Sequence, residues 1–302
     1  MRNLQSDLAD AIAAFTHADG VREAALPGTR CIKLSHPNHP NKQHWRRSLS
    51  FIAQGSKEVT LGREVYRYDE SHFIATPIDL PVTGRVCTAT PEKPFLCLQI
   101  DLDPMTLSEI AAQSERGTVN QSESPVRAIF IGQTTDPILD AAVRLAKLCR
   151  APEDALVLGP LVVKEILYHL LKGPDGAAIR QFVRSGSNMH KISESIYTLR
   201  CALDDEVDIG ELARAANMSR SAFFQHFKEV TAMSPIQYQK RLRLLEARRL
   251  MVDGGDTAEA SAFKVGYNSA SQFSREYSRM FGNSPLRDAL TIKKSDHAAY
   301  GS

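Results

Sequence analysis

The sequence predicts an α+β protein. A strand-rich N-terminal part with trailing helices precedes an all-α C-terminal domain of two helix-turn-helix units joined by a long helix. Three observations point there. Residues 28–101 alternate short apolar runs with turn residues. From Asp103 onward apolar residues recur at helical spacing. The last third repeats itself at an offset of 50 residues, Ser219 recurring as Ser269. A chain of 302 residues has room for about two domains at roughly 100–200 residues each. Gly186-Ser187-Asn188 is the best linker, giving domains 1–185 and 186–302.

The elements follow in order. Leu4, Leu8, Ile12 and Phe15 form the apolar stripe of a short helix that also carries Asp7 and Asp10, unlike the uninterrupted apolar stretch of a secretory signal. Ser48–Ala53, Glu58–Leu61 and Glu64–Tyr68 read as strands punctuated by Gly55-Ser56 and Gly62-Arg63. His72–Thr76, Thr83–Ala89 and Phe95–Asp101 continue the series. Many short strands with close turns make a barrel or a sandwich. Asp103-Pro104 and Asp136-Pro137 start helices, proline fitting the first helical position. Pro152 and Gly159-Pro160 bracket further helices, and Gly173–Gly176 is a break.

Each copy of the repeat has the same grammar. In the first, Asp208 caps a helix with Glu211 three residues on, and Ile209, Leu212, Ala213 and Ala216 form its apolar face. Asn217-Met218 turns. Ser219 then caps a second helix whose Phe223, Phe227 and Val230 face inward. Its outer face presents Arg220, Ser221, Phe224, Gln225 and Lys228. In the second copy Asp256 and Glu259 form the capping pair, Gly266 takes the tight turn, and Ser269 caps. Phe273 and Tyr277 face inward, while Ser271, Gln272, Ser274, Arg275 and Arg279 face outward. A helix, a tight turn and a helix with a polar outer face is a helix-turn-helix, whose second helix fits the major groove. There Gln225 suits adenine, Arg275 guanine and Phe224 a thymine methyl, while Lys228 suits guanine or phosphate. Between the copies, Ser234-Pro235 starts a helix running to about Met251. It carries Lys240, Arg241, Arg243, Arg248 and Arg249, a basic stripe suited to a polyanion. Arg241 completes the set of candidate DNA contacts. Double-stranded DNA is therefore the expected partner.

Composition excludes several other classes. Hydrophobic residues make up 43% and charged residues 24%, as in ordinary globular proteins, with a net charge of only +2. No apolar run approaches the length of a membrane span. The five cysteines, Cys31, Cys87, Cys97, Cys149 and Cys201, are widely spaced and odd in number. That suits reduced thiols in the cytoplasm better than a disulfide framework. His36, His39 and His44 cluster in a segment rich in Pro and Asn, read as a loop, without the strand-borne ligand spacing of a metalloenzyme. His72 reads as structural. No phosphate-binding loop and no nucleophile elbow occur. The expectation is a protein that is not an enzyme and needs neither cofactor nor metal.

The tail residues Val265-Gly266-Tyr267, Ser269, Phe273-Ser274-Arg275-Glu276-Tyr277, Phe281-Gly282 and Ser284-Pro285 resemble the signature of the AraC family. The first copy matches through Ala213, Ser219, Phe223, Phe227-Lys228, Ser234-Pro235, Tyr238 and Arg243-Leu244. Two positions depart: Ser261 stands where the family has a bulkier apolar residue, and Ala232 where it has glycine. The N-terminal part is also similar to a sensor domain of that family. Leu26-Pro27-Gly28, Gln54-Gly55-Ser56-Lys57, Leu61-Gly62, Tyr66-Arg67-Tyr68, Leu80-Pro81-Val82 and Ile100-Asp101-Leu102-Asp103 carry this likeness. The resemblance implies a cupin-like β-barrel with helices that binds a small-molecule effector or dimerises. It also implies a bacterial activator working at promoter DNA with RNA polymerase. A second copy is a further candidate partner, and Leu139, Val143, Leu145 and Leu148 are candidates for that interface as well as for plain core.

Overall fold

A computed structural model describes residues 3–114, 127–205 and 207–300, the stretch 294–300 by its backbone alone. The chain divides into two compact units, residues 1–41 with 45–191, and residues 42–44 with 192–302.

Among the described residues ten strands form two sheets. The six-stranded sheet runs β1 (Gly20–Glu23), β2 (Thr29–Leu34), β9 (Phe95–Asp101), β4 (Ser48–Gln54), β7 (His72–Thr76), β10 (Phe130–Gln133). The four-stranded sheet runs β3 (Asn41–Trp45), β8 (Leu80–Thr88), β5 (Ser56–Leu61), β6 (Glu64–Asp69). The strands thus make two separately hydrogen-bonded sheets rather than one continuous barrel wall. The turn into β5 depends on Gly55, whose φ is +82° and whose added Cβ would stand 2.5 Å from the Thr88 carbonyl oxygen. Only glycine fits there.

Strand register sorts the side chains. Cys31, Leu98 and Phe51 lie side by side across β2, β9 and β4, and Ile32, Cys97 and Ile52 lie side by side one residue further along. Alternation sends the two sets to opposite faces. The Cys31 face packs toward helices, since Cys31 hydrogen-bonds Cys149 just after α3 (Asp136–Leu148). Helix α1 (Leu4–Phe15) packs on β2, β4, β9 and α3, burying Leu8, Ala11, Ile12 and Phe15.

Three strands escape a reading of apolar pattern. β1 and β3 are mostly polar, and β10 is only four residues long. All three lie at sheet edges, where pairing rather than a buried face specifies the strand. β3 also places His44 on a strand and not in a loop. Among the described residues no group of three or more His, Cys, Asp or Glu side chains is placed to hold a metal. His72 Nδ1 lies 2.8 Å from Asp69 Oδ1.

Helix α2 (Pro104–Ser114) begins behind Asp103, whose carboxylate accepts from the Thr106 N–H at 2.9 Å. Gly159-Pro160 does not separate two helices. It lies inside one, α4 (Pro152–Lys172). The missing Pro160 N–H frees the carbonyl one turn back at Leu156, an exposed residue where water can bond it. The break at 173–175 falls as expected, before α5 (Gly176–Arg180). Leu139, Val143 and Leu145 of α3 are buried core and cannot meet a second copy; only Leu148 is partly exposed.

Candidate nucleic-acid interface

After α6 (Asn188–Cys201), which begins in the first unit, the second unit contains α7 (Ile209–Ala215), α8 (Arg220–Thr231), α9 (Pro235–Val252), α10 (Ala258–Lys264), α11 (Ala270–Phe281) and α12 (Pro285–Tyr300). Helices α8 and α11 occupy positions offset by 50 residues, 220–231 against 270–281. Each begins with a serine cap. Ser219 Oγ accepts from the Ala222 N–H at 3.2 Å, and Ser269 Oγ from the Gln272 N–H at 3.3 Å. Each ends in a left-handed residue, Ala232 (φ 59°) and Gly282 (φ 82°).

The turns that bring each pair together differ in chemistry. Asn217 takes the left-handed position in the first, with φ 51°, as asparagine tolerates. In the second, Gly266 has φ +80°, and an added Cβ would lie 2.5 Å from the Asp204 carbonyl oxygen. The first capping expectation is met by Asp208, whose carboxylate accepts from the Gly210 N–H at 2.6 Å. The second shifts by one residue. Thr257 is the cap, accepting from the Ala260 N–H at 3.1 Å, while Asp256 pairs with Lys264 at 2.8 Å. Lys264 draws the longer carboxylate away from the cap.

Inward faces hold the units together. Phe223 and Phe227 are fully buried, and Phe227 meets Tyr238 of α9 edge-on at 5.4 Å. Phe273 and Tyr277 are equally buried in a cluster with Leu244, Ala247, Met251, Val265 and Tyr267. Ser261 is also wholly buried, beside Ala262. The Tyr277 hydroxyl donates to Asp288 Oδ2 at 2.8 Å, and Arg248 Nε meets the same oxygen at 2.8 Å. Burial, with Asp288 alongside, pushes the Tyr277 phenol far above its ordinary range, keeping it a donor.

The basic stripe on α9 is mostly internal glue. Lys240 pairs with Glu276 at 2.7 Å, Arg248 with Asp288, and Arg249 with Glu246 at 2.7 Å. Arg243 donates to three carbonyl oxygens, those of Leu203 (2.6 Å), Asp205 (2.8 Å) and Gly266 (3.2 Å). Arg241 is exposed and has no ion pair among the described residues. Burial alone would raise the Glu276 carboxyl. Bonds from Lys240, Tyr267 and Gln272 outweigh it and hold the group below its usual range. Glu276 thereby ties α9, the turn and α11 to one point.

The outward residues fall into two groups. Ser221, Lys228, Ser271, Arg275 and Arg279 are exposed without an ion pair among the described residues. Arg220 is exposed over the Phe224 ring at 5.9 Å, and Phe224 is half-buried beneath it. Gln225 and Gln272 are exposed but each bonds a glutamate one turn on, Glu229 at 2.9 Å and Glu276 at 3.3 Å. Ser219 and Ser269 direct their hydroxyls to their own helix ends, and Ser274 is half-buried. Arg287, exposed in the first turn of α12, is a further cation on this unit. The repeat contains the signal for it, since Arg287 occupies the position equivalent to Gln237.

Two matched helix-turn-helix units on one spacer helix, accompanied by a strand-rich unit, define a bipartite helix-turn-helix protein. Known proteins place it further. The family described as AraC-type transcriptional regulator N-terminus matches residues 25–178, and a helix-turn-helix domain family matches residues 212–288. The chain belongs to the AraC-type transcriptional regulators. It is 26% identical over 169 residues to the HTH-type transcriptional regulator ExsA of Pseudomonas aeruginosa, covering 56% of this chain and 60% of that one. It is 30% identical to the transcriptional activator RhaS of Pectobacterium carotovorum over 33% of this chain and 36% of that one. These matches span less than two thirds of those relatives. The thermoregulatory protein LcrF of Yersinia pestis matches at 26% identity over 82% of this chain and 91% of its own. Solved structures of ToxT from Vibrio cholerae share the fold, with TM-score 0.57 at 10% identity over 87% of this chain and 96% of that one.

Proposed function

We propose that the protein is a cytoplasmic, sequence-specific DNA-binding transcription regulator. The observation that carries this is the equivalence of α8 and α11: same caps, same buried aromatic pair, same exposed face. Exposed Arg275 and Gln225 occupy corresponding positions on the two helices and are the base-reading candidates, with Ser221, Ser271, Ser274, Gln272 and Phe224 beside them. Arg220, Lys228, Arg241, Arg279 and Arg287 serve the phosphates. Phosphate contacts dock the protein, and base contacts give it sequence preference. Ser219 and Ser269 act as caps that shape the helix ends. No helix among the described residues is long and apolar enough to cross a membrane.

The strand-rich unit is the sensor in this reading. ToxT, its structural neighbour, has been solved with an unsaturated fatty acid and with (E)-4-(8-methylnaphthalen-1-yl)but-3-enoic acid. A small-molecule effector here would shift the population of DNA-binding states only by its differential affinity for them. RNA polymerase is the downstream partner. A second copy of the chain is the other one, meeting this unit through α4. There Val157, Leu161 and Leu158 are exposed at 71%, 62% and 46%.

Arg275→Ala tests the reading. Binding to the specific site should weaken by about 1–3 kcal/mol and lose preference at one base pair. Fluorescence anisotropy on a panel of single-base variants measures both. An equal loss on every sequence would make Arg275 a phosphate contact instead.

A further inference from the structure

The inner face of the four-stranded sheet holds two side-chain polar groups that have no hydrogen-bond partner among the described residues. Lys57 on β5 stands directly across from Tyr68 on β6 and from Val86 on β8. Cross-strand partners share a face, so these three lie side by side. Val59 and Leu61, two and four residues further along β5, continue that face and are buried. Glu58, one residue along, faces the other way and is fully engaged with Arg67 at 2.8 Å and Arg85 at 3.1 Å. Lys57 has no such pairing. Among the described residues it makes no hydrogen bond and no ion pair, and its ammonium lies 5.0 Å from the centre of the Trp45 ring. Tyr68 is 3% exposed, and its hydroxyl also has no hydrogen-bond partner among the described residues. From the other sheet Cys97 comes within electrostatic reach of both. Ser50 Oγ, beside Cys97, already accepts from Gln99 Nε2 at 2.9 Å.

Lys57 is half-buried and Tyr68 buried, so a ligand that accepts their hydrogen bonds takes the place of water at two donors already largely withdrawn from solvent. Burial lowers the Lys57 pKa, the expected response of a cation without a counter-ion. Both groups are donors, so the missing partner is an acceptor, and one of negative charge restores the ammonium. Trp45, Val59 and Val86 give this face an apolar and aromatic side, while Arg67 and Arg85 stand at the opening that Lys57 and Tyr68 line.

We propose that this face is the effector site and that its ligand is a carboxylate with an apolar body. Lys57 and Tyr68 hold the carboxylate, and the body lies against Trp45 and the β5–β8 wall. This rests on the sensor reading of the N-terminal unit and names the class of molecule it senses.

Trp45 is the chain's single tryptophan, so its emission reports on this site in the intact protein. Full-length protein is titrated with octanoate and benzoate, and with the neutral octanamide and benzamide. The carboxylates should change Trp45 emission saturably and bind at least tenfold more tightly than their amides. Lys57→Met should weaken carboxylate binding tenfold or more and leave the amides unaffected. Tyr68→Phe, which keeps the ring and so protects folding, should weaken it severalfold. Equal binding of acids and amides, no saturable change with any probe, or a folded Lys57→Met or Tyr68→Phe protein of unchanged affinity would each overturn the assignment. DNA affinity with and without octanoate is measured alongside. Carboxylate binding that leaves DNA affinity untouched keeps the site and removes the sensor reading. Amide binding that changes DNA affinity keeps the sensor reading and removes this site.

Discussion

Ala232 closes α8 with φ 59°, a conformation that costs an ordinary L-residue roughly 1–2 kcal/mol. Its counterpart Gly282 adopts the same region without that strain. Ala232→Gly should therefore stabilise the C-terminal unit by about 0.5–1 kcal/mol, after glycine's own entropic cost of similar size is set against it. A denaturant midpoint that fails to rise would mean that the strain is relieved elsewhere. Cysteine reactivity is a second test at this scale. Cys31, Cys97 and Cys149 are buried, whereas Cys87 and Cys201 are exposed. The hydrogen bond with Cys149, together with burial, pushes the Cys31 thiol far up, and burial pushes Cys97 up to about 11. Iodoacetamide at mild alkaline pH should label Cys87 and Cys201 within minutes and the other three only after unfolding, as peptide mass mapping would show. The residue types on the recognition faces were legible in the sequence, because helical period alone separates Phe223 and Phe273 from Gln225 and Arg275. Their engagement was not. Gln225 and Gln272 are held by glutamates one turn away, and the serine caps point at backbone. Such contacts depend on rotamers that no spacing encodes.

Among elements, helices with caps and strands with apolar alternation were readable, and elements defined by their neighbours were not. β7 and β9 match their apolar runs residue for residue, whereas β1, β3 and β10 are specified by pairing. The basic residues of α9 illustrate the same limit. As a stripe they suggested DNA, yet four of the five bind carboxylates or carbonyls of their own unit. Lys240, Arg243 and Arg248 fix the spacer to its neighbours, Arg249 pairs within α9, and Arg241 alone stays available among them. Helix α4 shows the reverse. Its Val157 and Leu161 are apolar yet more than half exposed. A two-fold contact would lay this face against itself. Leu161→Glu should then reduce the solution mass to that of the single chain without altering thermal stability by more than about 0.5 kcal/mol, as for an exposed site. Light scattering that finds the same mass for both proteins would place the contact elsewhere or remove it.

At the scale of the whole molecule, the central claim is that duplication makes a reader of two neighbouring DNA segments. One spacer helix and two equivalent recognition helices imply paired half-motifs about one helical turn apart, roughly 34 Å along the duplex. The most direct test is selection of genomic fragments by the purified full-length protein at near-physiological salt, with sequencing of what is bound. The account predicts a small set of sites sharing two half-motifs separated by about one turn, and loss of information at one half-motif in Arg275→Ala. Retention of fragments without any shared motif, with and without octanoate, would contradict it and reduce the C-terminal unit to a non-specific binder or to no DNA binder at all.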